Sequence, residues 1–197
     1  MKTRIAIILL AAVALCSFKY AEEIKHKYIS FNKARGLKMS AAERLPETTD
    51  KTRALPTANG EASITIQDGY RVLYLNKRKA AFVNVKVELS SPSTYEQDKA
   101  NVLANLSYLN ANSAGMESKE LLTLDYNGYK VYGLSRAGIE QGSTLGTFVM
   151  FPGDNTIVYF YFNNIEADKR HFNTAEEYKG FRNDFIGEYT AYLKNAK

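Results

Sequence analysis

The run Ile157-Val158-Tyr159-Phe160-Tyr161-Phe162 constrains this chain more than any other stretch. In an extended strand, successive side chains point to opposite faces, so this run presents large apolar groups on both. Such a strand belongs at the centre of a sheet that is covered on each side. The sequence must therefore also supply covering helices, and it carries two that fit. Thr174 and Glu177 are spaced as a capping box, and Tyr178, Phe181, Phe185, Tyr189 and Tyr192 follow as one aromatic stripe at helical spacing. Ser93 and Glu96 form a second box ahead of Val102, Leu103, Leu106 and Leu109, which predicts a helix over 94–109.

The remaining strands follow from alternation and turn chemistry. Ile64 and Ile66 alternate with polar residues, Asp68-Gly69 reads as a hairpin turn, and Tyr70 to Leu75 as the returning strand. Val83, Val85, Val87 and Leu89 share one face of the next strand, while Asn84, Lys86 and Glu88 share a wet one. Leu122, Leu124 and Tyr126 lead into Asn127-Gly128, the dipeptide suited to a type I′ turn, and Tyr129 to Ser135 returns antiparallel. Thr144 to Phe151 and Thr156 to Asn163 are joined by Pro152-Gly153-Asp154-Asn155. The expectation is an α+β fold: a central antiparallel sheet of about six to seven strands with helices on both faces, occupying residues 61–197.

The N-terminus reads as an export signal over residues 1–18. Lys2 and Arg4 precede an uncharged apolar run from Ile5 to Leu15, and Ala12-Val13-Ala14 supplies small residues for cleavage. The run is short of the ~20 apolar residues a spanning helix needs. Cys16, the only cysteine, sits where a lipoprotein carries its acylated residue, although Leu15 replaces the small residue expected before it. Lipidation at Cys16 and simple cleavage both stand as readings, and either places the protein in the periplasm or cell envelope. Residues 19–60 read as a basic tether. Ile24, Tyr28 and Phe31 form a thin helical stripe among lysines, able to lie against an anionic membrane surface. Residues 39–60, with Pro46 and Pro56, bury too little to order themselves.

Charge excludes one class of partner. The net charge of +5 divides unevenly: residues 19–60 carry nine Lys or Arg against five Asp or Glu, while residues 61–197 carry fifteen against sixteen. A nucleic-acid binder shows its basic footprint on the folded domain, and this domain is neutral.

Catalytic patterns are sparse. The two histidines are His26 in the tether and His171 in Asp168-Lys169-Arg170-His171. Asp168 and His171 alone fall short of a zinc site, which takes three or four ligands. Gly142-Ser143-Thr144 lacks the Gly-x-Ser-x-Gly elbow, and the glycines at 133, 138, 142 and 146 lack phosphate-loop spacing. Asn105-Leu106-Ser107 matches a glycosylation sequon but overlaps the helical stripe. No cofactor is called for. The segment Arg136-Ala137-Gly138-Ile139-Glu140-Gln141-Gly142-Ser143 is long for a hairpin connection. Its Arg136, Ile139 and Glu140 are the candidate partner-binding residues, since binding groups gather on such loops.

The order of elements, carried locally by Tyr126 to Val131, by Thr147 to Asn163 and by the terminal Tyr178–Leu193 helix, resembles the PsbP/Mog1/DcrB-like superfamily. That resemblance implies an antiparallel sheet packed between helices and a role as an exported or organellar binding or assembly accessory, with no shared catalytic residues. The expected function is a non-enzymatic accessory of the cell envelope that binds a protein or small ligand. The rival is an envelope hydrolase, or another enzyme, whose site is assembled from residues remote in sequence.

Overall fold

The computed structural model describes residues 27–32, 37–47, 49–77, 79–112, 119–136, 144–163 and 172–196. Nine strands among them form one antiparallel sheet: β1 Lys38–Met39, β2 Glu43–Arg44, β3 Lys51–Thr57, β4 Gly60–Leu75, β5 Ala81–Ser90, β6 Lys119–Tyr126, β7 Tyr129–Arg136, β8 Thr144–Gly153 and β9 Thr156–Asn163. The order across the sheet is β1-β4-β5-β9-β8-β7-β6, with β2 and β3 also pairing along β4. β9 lies between β5 and β8, as its two apolar faces require. Helix α1 spans Tyr95–Asn112 and helix α2 spans Ala175–Asn195.

The two faces carry separate cores. On one, Tyr178, Phe185, Ile186, Tyr189 and Leu193 of α2 pack on Val72, Val85, Val131, Phe148, Phe160 and Phe162. On the other, Val102 and Leu106 of α1 pack on Ile64, Ile66, Val149, Ile157 and Tyr159. Each of these buried aromatic and aliphatic side chains contributes roughly 1.5–3 kcal/mol. Helix α2 begins as its sequence dictates. The Glu177 N–H donates to Thr174 Oγ1 at 3.1 Å, and the Glu177 carboxylate accepts from the Asn173 N–H at 2.7 Å, one residue earlier than a standard box. The Ser93 box does not form: Ser93 Oγ sits 2.9 Å from Ser91 Oγ, and Asp98, 2% exposed, takes up the Thr94 and Ser90 hydroxyls instead.

Two further expectations do not hold. Asp68-Gly69 is not a hairpin turn, because β4 runs through it and shifts register between Ile66 and Asp68. The Asp68 carboxylate accepts the Gly69 N–H at 3.0 Å, satisfying the backbone of a bulge with the chemistry that resembled a turn. The reversal lies earlier, between Thr57 and Gly60. Nor are residues 39–60 a linker. β1, β2 and β3 pair with β4, and Tyr28 and Phe31, upstream of them, are each 1% exposed in the α2-side core. The Tyr189 hydroxyl donates to the Tyr28 carbonyl at 2.7 Å, and the Tyr74 hydroxyl to the Phe31 carbonyl at 2.5 Å. A segment that buries little of itself is ordered here by the unpaired edge of a sixteen-residue strand. Residues 1–26, and with them the signal reading, lie outside the described residues.

Asp68 also clasps this added edge, accepting from Arg44 Nε at 2.9 Å and from the Thr49 hydroxyl at 3.3 Å. Burial alone raises its pKa, but hydrogen bonds from Tyr70, Arg44 and the Gly69 N–H outweigh burial and hold the carboxyl below its usual range. A depressed carboxyl stabilises the fold above its unfolded pKa, and that contribution vanishes as pH falls through the folded value. Limited proteolysis at neutral pH is therefore expected to spare residues 38–57. Cleavage around 40–50 should accelerate only below the ordinary carboxylate range, and at neutral pH in Asp68→Asn. Equal cleavage in both proteins at every pH would show that the clasp does not hold the segment.

Candidate binding face

Residues directly opposite one another in antiparallel strands share a face. Asn84 stands opposite Tyr161, Tyr161 opposite Thr147, and Thr147 opposite Leu134. In the adjacent row, Lys86 stands opposite Tyr159, Tyr159 opposite Val149, and Val149 opposite Tyr132. These two rows cross β5, β9, β8 and β7 on the α1 side of the sheet. Leu134, Thr147, Tyr161 and Asn84 are all half-buried.

At one margin of these rows lies a polar cluster centred on Glu88, whose side chain is 0% exposed. Its Oε2 accepts from Arg53 Nη2 at 2.8 Å, and its Oε1 from Lys86 Nζ at 2.9 Å. Arg53 Nη2 also donates to the Tyr159 hydroxyl at 3.2 Å. Lys86 Nζ sits 4.5 Å above the Tyr159 ring centre, within cation–π range. The Tyr159 and Tyr161 rings stack with centroids 6.1 Å apart and planes 12° from parallel. Burial pushes both phenols well above their usual pKa, and the Glu88 charge adds to the rise. Burial also lowers the Lys86 pKa and nearby Arg53 lowers it further, while Glu88 opposes them.

The cluster holds two cations and one buried carboxylate, and the exposed Glu47 adds a second negative charge that acts on Lys86. Both Glu88 oxygens are engaged, so this carboxylate is a counter-ion shared by the two cations. Among the described residues, three buried polar atoms on the same face have no partner: Arg53 Nε, Asn84 Oδ1 and Arg136 Nε. An unpaired buried polar atom costs about 1–3 kcal/mol, so each asks for an explanation. A bound polar ligand would supply one.

Of the candidates from sequence, Arg136 closes β7, half-buried and on this face, in step with Tyr132 and Leu134. Ile139 and Glu140 lie outside the described residues, as do Cys16, His26, Asp168 and His171. The structure thus brings Arg136 to the face and does not place the rest of its loop. Asn105, of the sequon, uses its side-chain amide to donate to the Pro56 carbonyl at 2.8 Å. Gly133 and Gly146 are explained by packing: a Cβ on either would collide with the Phe148 ring. Among the described residues, no group of three His, Cys, Asp or Glu is placed to hold a metal ion.

Arg53, Lys86, Glu88, Tyr159 and Tyr161 were not singled out by sequence. Opposite charges at Lys86 and Glu88, two apart on one strand face, were the available signal. No family model, curated protein or solved structure matches the chain.

Proposed function

We propose that this protein is an exported binding accessory of the cell envelope, with the Tyr159–Tyr161 face as its ligand seat. The observation that carries the seat is the concurrence of a stacked tyrosine pair with two cations sharing one carboxylate and three unpartnered polar atoms. This chemistry suits an anionic ligand with a flat face, such as an acidic sugar or an aromatic carboxylate. Tyr161, the half-buried ring of the pair, would take the flat face, and Arg53 and Lys86 the anion. Export is supported by Lys2, Arg4 and the apolar run ahead of Cys16, and an accessory role accords with the PsbP/Mog1/DcrB-like order of elements.

The test is calorimetric titration with a panel of acidic sugars and aromatic carboxylates, run beside their neutral analogues. At least one anion is expected to bind, with its neutral counterpart binding at least tenfold more weakly. Tyr161→Ala, which disturbs no hydrogen bond of the Glu88 cluster, should abolish the signal while the protein stays folded. Silence across the panel, or equal binding by Tyr161→Ala, would overturn the assignment.

A further inference from the structure

The two edges of the sheet are built differently. The edge along β4 is broken into β1, β2 and β3, of two, two and seven residues, and β3 carries Pro56. Short pieces, proline and charge are how a sheet blocks strand addition. At the other end, β6 is an unbroken eight-residue strand, Lys-Glu-Leu-Leu-Thr-Leu-Asp-Tyr, that among the described residues pairs only with β7. Its central residues, Leu121 to Leu124, include neither charge nor proline. Leu121 is 48% exposed, the one large hydrophobic so exposed among the described residues.

The β6–β7 register fixes which backbone groups face outward. Tyr126 and Tyr129 flank the two-residue Asn127-Gly128 turn, whose φ angles are 56° and 86°. In such a hairpin the flanking residues form a hydrogen-bonded pair, and hydrogen-bonded pairs alternate with non-bonded ones along the ladder. Tyr126, Leu124, Leu122 and Glu120 therefore bond to β7. Asp125, Thr123, Leu121 and Lys119 direct their N–H and C=O groups across the open edge.

We propose that β6 pairs antiparallel with β6 of a second copy of this chain, centred on Leu122. Outward-facing residues must meet outward-facing residues, which restricts the registers to alternate positions. Centring on Leu122 sets it opposite its own equivalent, sets Leu121 opposite Thr123, and sets Lys119 opposite Asp125 at both ends. That register gives a backbone partner to all four outward-facing residues of each strand, a full match. Centring one residue to either side removes this match. The arrangement covers Leu121, closes the unprotected edge and joins two sheets into one.

Sedimentation equilibrium over a wide concentration range tests the pairing, with a dimer expected. Thr123→Pro removes an outward N–H while leaving the β6–β7 bonds intact, so it should give a monomer with an unchanged circular dichroism spectrum. Independently, Leu122→Cys in a Cys16→Ser background should give a disulfide-linked dimer on mild oxidation, because the two sulfurs meet only in this register. A wild-type protein that stays monomeric throughout would overturn the proposal, as would an extended peptide of another protein co-purifying on the edge. A dimer that survives Thr123→Pro and resists Leu122→Cys cross-linking would place the interface elsewhere.

Discussion

Replacing Phe185 by alanine is expected to lower the unfolding free energy by ~3–5 kcal/mol, the usual cost of deleting a large aromatic from a packed interior. The ring is 2% exposed and meets Tyr74 edge-on at 4.9 Å, Phe31 at 5.7 Å and Phe162 at 5.9 Å. These partners come from the N-terminal segment, from β4 and from the central strand, so one ring ties α2 to three parts of the chain. Edge-to-face pairs add about 0.5–1.5 kcal/mol each beyond burial, and the surrounding aromatic rings are too rigid to collapse into the space left behind. A domain of this size has only ~5–15 kcal/mol in total. Denaturant unfolding measures the loss directly. A change below about 1 kcal/mol would mean that α2 is not docked as described.

Phe185 was legible in the sequence because the aromatic stripe has one period and one reading. The same holds for β9 and for the Asn127-Gly128 hairpin, where pattern and turn chemistry agree. What the sequence hid depends on partners far along the chain. β1, β2 and β3 are short, polar and interrupted by Pro56, and nothing within them predicts strand. They become strands because β4 is long enough to pair with β5 and still offer a second edge. Asp68-Gly69 misled for a related reason: a carboxylate that satisfies a neighbouring N–H serves a bulge as well as a turn. The candidate face was hidden by the same failure. Lys86 and Glu88 alternate with valines and so read as a wet strand face. Arg53, from the segment read as a linker, folds over them and turns that face into a buried ion cluster.

That cluster makes Glu88 the second residue whose loss is expected to be severe. Glu88→Ala leaves Arg53 and Lys86 without the carboxylate both contact, and stranding a buried charge costs roughly 3–5 kcal/mol. The two cations do not share that cost equally. The Lys86 side chain is 12% exposed against 35% for Arg53, which can turn part of its guanidinium to water. Lys86 has another escape, which is to lose its proton. Burial already depresses its pKa, and Glu88 is the main group opposing that depression, so removing Glu88 should lower it further. The unfolded chain then holds the Lys86 proton to higher pH than the folded one, and stability rises with pH between the two values. The deficit of Glu88→Ala is thus expected to be largest near neutral pH and to shrink on the alkaline side. Lys86→Met in the same background should recover part of it at neutral pH, by replacing a stranded ammonium with an apolar group of similar length. Unfolding curves for the single and double variants across pH measure this directly. A deficit that stays constant with pH, with no recovery in the double variant, would show that Lys86 does not depend on Glu88 for its charge.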